Sequence, residues 1–307
     1  MSLRLLGSVV LLALLAACVG PPEDVDAVPR FERDTFPGEI QERGVLRVGV
    51  PTQPEKPMLL EDPATGELSG FIVDLTEELA AALDVDVEFI AASEEELLDP
   101  GDARAEPGSE DEPGFDIGFP ITTISEPVAR EAAFTNPYFV AHQLLLAPSD
   151  PEVDGPGDLG GEVVCSVVDE DIGVDLRDIE PSIEIIEGSR AECERLVRSG
   201  RAGFATGRNT TLMDIWSGLD RCLPECGDAP LGFTLAGDDL TTEGIGASLP
   251  GGTSGWGTFV NATWGEMELE GRWTESYERW LRPYLDEPLD PPEMTFREAA
   301  GLFPAGI

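Results

Sequence analysis

Positive charge is scarce in this chain: 19 lysines and arginines stand against 61 aspartates and glutamates, a formal net charge of −42. Such a field repels phosphate, which excludes nucleic acid and anionic lipid headgroups as partners bound through charge. The surplus acid reads as a solubilising surface, the alternative being that part of it faces a cationic ligand. Histidine is scarcer still, with His142 alone. There is no Ser-His-Asp or Cys-His pattern and no metal-ligand spacing, so the chain reads as a non-enzyme without a cofactor. Long apolar runs are also missing: nothing after residue 17 is long enough to cross a bilayer as a helix, which takes roughly 20 residues.

What is present begins at the N-terminus. Met1-Ser2-Leu3-Arg4 precedes an apolar run from Leu5 to Ala17, the layout of a signal peptide over residues 1–17. The run ends in Leu15-Ala16-Ala17-Cys18, which resembles a bacterial lipobox, with Cys18 receiving lipid and becoming the mature N-terminus. Residues 18–43 mix charge with proline and are expected to be a tether. Export with a lipid anchor on the outer face of the cell membrane follows, with membrane contact by that lipid only. The remaining roughly 265 residues are long for one compact domain and suit two lobes. Apart from Cys18, the cysteines are Cys165, Cys193, Cys222 and Cys226. An even number in an exported chain argues for two disulfides. Cys222 and Cys226 could close a small loop, leaving Cys165 to pair with Cys193. Zinc is the competing reading, weakened by the distance to His142.

Val45–Val50 alternates and is rich in β-branched residues, so it predicts a strand. A helix is expected from Gly70 to about Leu83, with Leu75, Leu79, Ala82 and Leu83 on one face, and a strand from Val85 to Ile90. This strand–helix–strand order indicates a parallel sheet. Residues 93–114 are acidic and rich in Pro and Gly, read as a short helix and a loop without order. A strand at Phe115–Phe119 follows, then a helix capped by Ser125. Tyr138–Ala147 is apolar and extended enough to cross between lobes. The pattern restarts with strands at Glu162–Val168 and Ile183–Ile186, a helix at Arg190–Ser199 and a strand at Ala202–Thr206. Thr242–Leu249 is a return strand, and Trp273, Tyr277 and Trp280 share a helix face that reads as core.

The order Gly44-Val45-Leu46-Arg47-Val48-Gly49-Val50, Gly66-Glu67-Leu68-Ser69-Gly70-Phe71 with Asp74-Leu75, Phe134-Thr135-Asn136-Pro137-Tyr138-Phe139, and Gly271-Arg272-Trp273 with Tyr277 and Trp280 resembles the family 3 extracellular solute-binding proteins. These are the polar amino-acid type that serves ABC importers. Cys165, Cys193 and His142-Gln143-Leu144-Leu145-Leu146 look most like its actinobacterial glutamate-binding branch. The resemblance implies an α/β, periplasmic-binding-protein-like type II fold: two α/β lobes joined by two hinge strands, lobe one over 44–146 and 242–307, lobe two over 147–241. It also implies a monomer that captures a small polar solute, an amino acid or derivative, for an ABC permease. The alternatives are a sensor or surface interaction protein on the same scaffold, or a dehydratase, an enzyme class found on this fold.

Relatives that bind free amino acids clamp the α-carboxylate with an Arg, offer a Gly-Ser/Thr turn to an anion, and hold the α-ammonium with a lobe-two Asp. At those positions this chain has Val128, Asp169-Glu170-Asp171 and Arg208. The scaffold is kept and the clamp is not. The expected ligand is therefore not a simple α-amino acid. The acidic turn favours a cationic solute and Arg208 a mixed-charge one. Thr122, Thr123 and Ser125 are expected to line the lobe-one side, with Phe71 near the cleft floor.

Overall fold

The computed structural model describes residues 29–53, 56–103, 114–147, 153–168, 174–212, 234–236, 239–284, 290–293 and 295–299. Two five-stranded sheets organise them. In the first, β1 (Val45–Pro51) lies between β4 (Asp86–Ala92) and β5 (Ile117–Gly118), parallel to both. β14 (Ser248–Leu249) and β6 (Ala133–Phe134) complete it antiparallel. In the second, β9 (Val163–Val167) lies parallel to β10 (Glu184–Gly188) and β11 (Phe204–Arg208). β8 (Gln143–Ala147) pairs antiparallel with β11 and with β12 (Thr234–Ala236).

Each sheet is therefore half parallel, where a mainly parallel pattern was expected. The reason is topological: β8 and β14 enter their sheets from the opposite lobe, running against the strands already there. Gln143–Ala147, placed by sequence at the end of lobe one, hydrogen-bonds within the second sheet.

The cores follow from strand alternation. Leu46, Val48 and Val50 of β1 are buried in the lobe-one core with Leu75, Leu79 and Leu83 of α2 (Phe71–Leu83). In β8, Leu144 and Leu146 face a cluster containing Cys165, Cys193 and Leu196, while Leu145 and Ala147 face another containing Val164, Leu176 and Phe204. Cys165 of β9 and Cys193 of α6 (Arg190–Arg198) form a disulfide, Cα to Cα 5.3 Å. That bond removes two of the four thiols a zinc site would have needed. Cys18, Cys222 and Cys226 lie outside the described residues.

The aromatic C-terminal helices α7 (Trp256–Leu269) and α8 (Arg272–Trp280) are core, as the spacing predicts. Their buried indoles donate to backbone carbonyls: Trp256 to Asp116, Trp264 to Leu75 and Trp273 to Tyr138, at 2.9–3.1 Å. Each ring thus fixes a loop or helix while satisfying its one polar atom. Asp74 on α2 ties this layer down, accepting from Ser276 Oγ and Trp280 Nε1 at 2.6 and 2.9 Å.

Part of the stretch expected to be a tether is helix. α1 spans Phe36–Arg43, with Thr35 as N-cap and Gly44 at φ 77° closing it. Ile40 is fully buried. Gln41 Nε2 donates to Pro29 O and Leu83 O, Arg30 pairs with Asp84, and the Phe31 ring packs edge-on against Phe259. Residues 29–43 therefore belong to the body of lobe one.

Candidate functional site

The lobes meet where the chain passes between them. β7 (Phe139–Ala141) leads out through His142 into β8, and the chain returns through Thr241 into β13 (Glu243–Ile245). β7 and β13 pair antiparallel, with Glu243 opposite Ala141. His142 interrupts the run because its backbone is taken by Asn209: its N–H donates to Asn209 Oδ1 at 3.3 Å and its carbonyl accepts from Asn209 N at 2.7 Å. The imidazole Nδ1 lies 2.8 Å from Thr241 O and 3.2 Å from Asp239 Oδ2. The single histidine thus joins the two crossings. Gln143, almost fully buried, donates through Nε2 to Val174 O and Thr206 Oγ1 and accepts from Val174 N.

Beside the crossings, lobe one presents Ile121 to Ser125. Thr123 bridges to Ile245, and Ile124 N donates to Gly244 O at 2.9 Å. Two buried side chains of opposite charge arrive here. Arg208, the last residue of β11, is 5 % exposed and donates from Nη1 to Ile121 O at 2.7 Å. This is a contact between the lobes. Glu243, 7 % exposed, accepts from Thr123 Oγ1 through Oε2 and from Thr241 Oγ1 through Oε1, both at 2.7 Å. Burying a charge is costly unless hydrogen bonds compensate it, so such a pair at a junction marks a site that holds charge deliberately.

The other expected site residues fall as follows. Thr122 donates its hydroxyl to Glu94 at the start of α3 (Glu94–Leu98). That helix carries a capping box in which hydrogen bonds from the Ser93 hydroxyl and backbone hold the Glu96 carboxyl below its usual range. Ser125 occupies the N-cap position of α4 (Glu126–Glu131) but makes no capping bond, and its Oγ is buried with no hydrogen-bond partner. Val128 packs against the cluster of Ile124 and Phe134 near Phe296. Arg130 pairs with Glu126 on the exposed side of the helix. Phe71 does not line a cleft: it has no exposed surface and sits edge-on to Phe139 and Trp273, supporting the crossing strand from behind. Asp169, Glu170 and Asp171 lie outside the described residues.

Sequence reasoning missed Glu243, one acid among 61. It also missed Thr210, two residues past Arg208. Thr210 is 1 % exposed and its hydroxyl has no hydrogen-bond partner. The one available signal was position: both flank segments already singled out, Arg208 and the return strand.

Comparison with known proteins agrees with this architecture. The model of the bacterial extracellular solute-binding proteins, family 3, matches residues 46–283. The ABC transporter glutamine-binding protein GlnH of Bacillus subtilis is 25 % identical over 277 residues, covering 88 % of this chain and 92 % of its own. Among solved structures, an ancestral cationic amino acid solute-binding protein superposes with a TM-score of 0.64 at 24 % identity, over 80 % of this chain and 99 % of its own. The solute receptor for L-cysteine of Neisseria gonorrhoeae gives 0.59 at 20 % identity, over 86 % and 98 %. With the family model spanning both sheets and both crossings, this chain belongs to the bacterial extracellular solute-binding proteins of family 3.

Proposed function

We propose that this protein captures a small polar solute outside the cell and delivers it to an ABC permease, held to the membrane by lipid on Cys18. The two lobes divide near residues 142 and 242, and the protein acts as a monomer and as a binder, not an enzyme. The observation that carries the reading is the junction itself: paired crossing strands, with Arg208 of one lobe bonded to Ile121 of the other. Such a junction lets two rigid bodies close on a ligand while a few residues absorb the rotation. The importer role is supported by the B. subtilis relative, which serves an ABC transporter.

The solute is an amino acid or derivative bound by a changed clamp. Val128 offers no charge and is spent on packing. Losing a charge-assisted contact to a carboxylate weakens binding by roughly 1.5–3 kcal/mol. Tight capture of free glutamate is therefore not expected. Calorimetry of ligand-stripped protein against the twenty amino acids and a polyamine panel, with mass spectrometry of whatever co-purifies, tests this. One small polar molecule bound with micromolar affinity supports the reading, and no binder of any kind overturns it. Metabolic labelling with an alkyne fatty acid should mark the wild type and leave Cys18→Ser unmarked.

A further inference from the structure

Resting on that reading, the C-terminal segment takes a part in the motion of the clamp. It lies beyond residue 283, outside the stretch that carries the family match. Helix α9 (Phe296–Ala299) forms there on a local signal. Thr295 Oγ1 donates to Glu298 Oε2 at 2.7 Å, and Glu298 N donates back to Thr295 Oγ1 at 3.4 Å, a reciprocal cap. A four-residue helix does not hold by itself in water, so its order comes from the surface beneath it.

That surface is the lobe-one end of both crossings. The Phe296 ring stacks on Phe134 with 6.4 Å between centroids, and Phe296 and Ala299 pack on the cluster of Ile124 and Phe134. Phe296 N donates to Asn136 Oδ1 at 3.1 Å, just ahead of β7. Asn136 N is in turn held by Asn261 Oδ1 of α7 at 2.9 Å. Ala299 lies against Gly244, the central residue of β13. A β-carbon at 244 would stand 2.9 Å from Ala299 Cβ and 2.7 Å from Pro137 Cγ, closer than such atoms approach, so only glycine lets the helix lie on the strand. Gly244 pairs with Val140 of β7, and its carbonyl accepts from Ile124 N at 2.9 Å.

We propose that the C-terminal segment is a strap that fixes the crossing pair to lobe one and so sets where the clamp bends. These contacts fall on Phe134, Asn136 and Gly244, on the lobe-one side of His142 and Thr241. With those ends held, the rotation concentrates at His142 and Thr241 instead of spreading along β7 and β13.

Hydrogen exchange on the full chain, without any ligand, tests this. In Phe296→Ala the amides of Phe139–Ala141 and Glu243–Ile245 should exchange about tenfold faster than in the wild type. Thr295→Ala removes only the cap, within the strap itself, and should speed the same amides about threefold. β1 and β4 of the same lobe should exchange as before in both variants. Unchanged crossing amides in either variant overturn the inference. Equal acceleration of β1 and β4 also overturns it, since the segment would then be ordinary lobe packing. No ligand enters the measurement, so a chain that binds no probe in calorimetry can still show the strap, and one that captures a solute can still lack it.

Discussion

At the scale of single residues, the largest commitment outside the junction is Asp116. It has no exposed surface, accepts from Arg47 N at 2.7 Å, and pairs with the guanidinium groups of Arg43 and Arg47. Its own carbonyl takes the Trp256 indole. Its carboxylate thus joins α1 to β1, and its backbone carbonyl adds α7. Removing a buried partner leaves charge uncompensated, though both arginines are about a third exposed and water recovers part of the loss. Asp116→Ala should lower stability by about 2–4 kcal/mol, seen as a shift of the urea midpoint at constant slope. Asp116→Asn, which keeps one acceptor, should cost less. The Phe71 outcome belongs at this scale too. An aromatic residue opening a helix beside a glycine is compatible with floor or core. Only the arrival of Phe139 and Trp273, far along the chain, decides for core.

At the scale of elements, the disulfide joins strand β9 to helix α6 across 28 residues. Closing a loop of that size restricts the unfolded chain, and breaking it should cost roughly 3 kcal/mol. Comparing denaturant curves of the wild type and of Cys165→Ala with Cys193→Ala checks this. A loss confined to lobe two, followed by hydrogen exchange, is the expected pattern. Much of this level was legible in the sequence. Alternation at Val45–Val50 matches β1 and helical spacing matches α2, and the strand and helix expected at Glu162–Val168 and Arg190–Ser199 are β9 and α6. What was illegible depended on partners. Tyr138–Ala147 reads as one strand because it is mostly apolar, yet its first half pairs with β13 and its second with β11 and β12. Glu243 could not be told from its acidic neighbours because Thr123, 120 residues earlier, makes it special. Helix α1 did leave a local trace in Thr35, Pro37 and Gly44, a cap, a first-turn proline and a left-handed stop.

At the scale of the whole molecule, a formal charge of −42 repels itself in the compact state. Taking NaCl from roughly 0.01 M to 1 M shortens the screening length from about 30 Å to about 3 Å. The melting temperature should rise by about 3 °C or more over that range, measured by calorimetry without ligand. A flat or falling curve would mean that local ion pairs outweigh the general repulsion.

The docking of residues 29–43 has a mechanical consequence. Pro29 and Phe31 are stitched to lobe one through Gln41 and Phe259, so any load applied upstream is carried by that body alone. Among the described residues, the chain reaches lobe two from this segment through lobe one and the crossing strands. In a clamp moored this way, lobe one is the stator and lobe two the rotor. The surface that swings as a solute is taken up is the one carrying Arg208, while the hinge-side Glu243 stays nearly still.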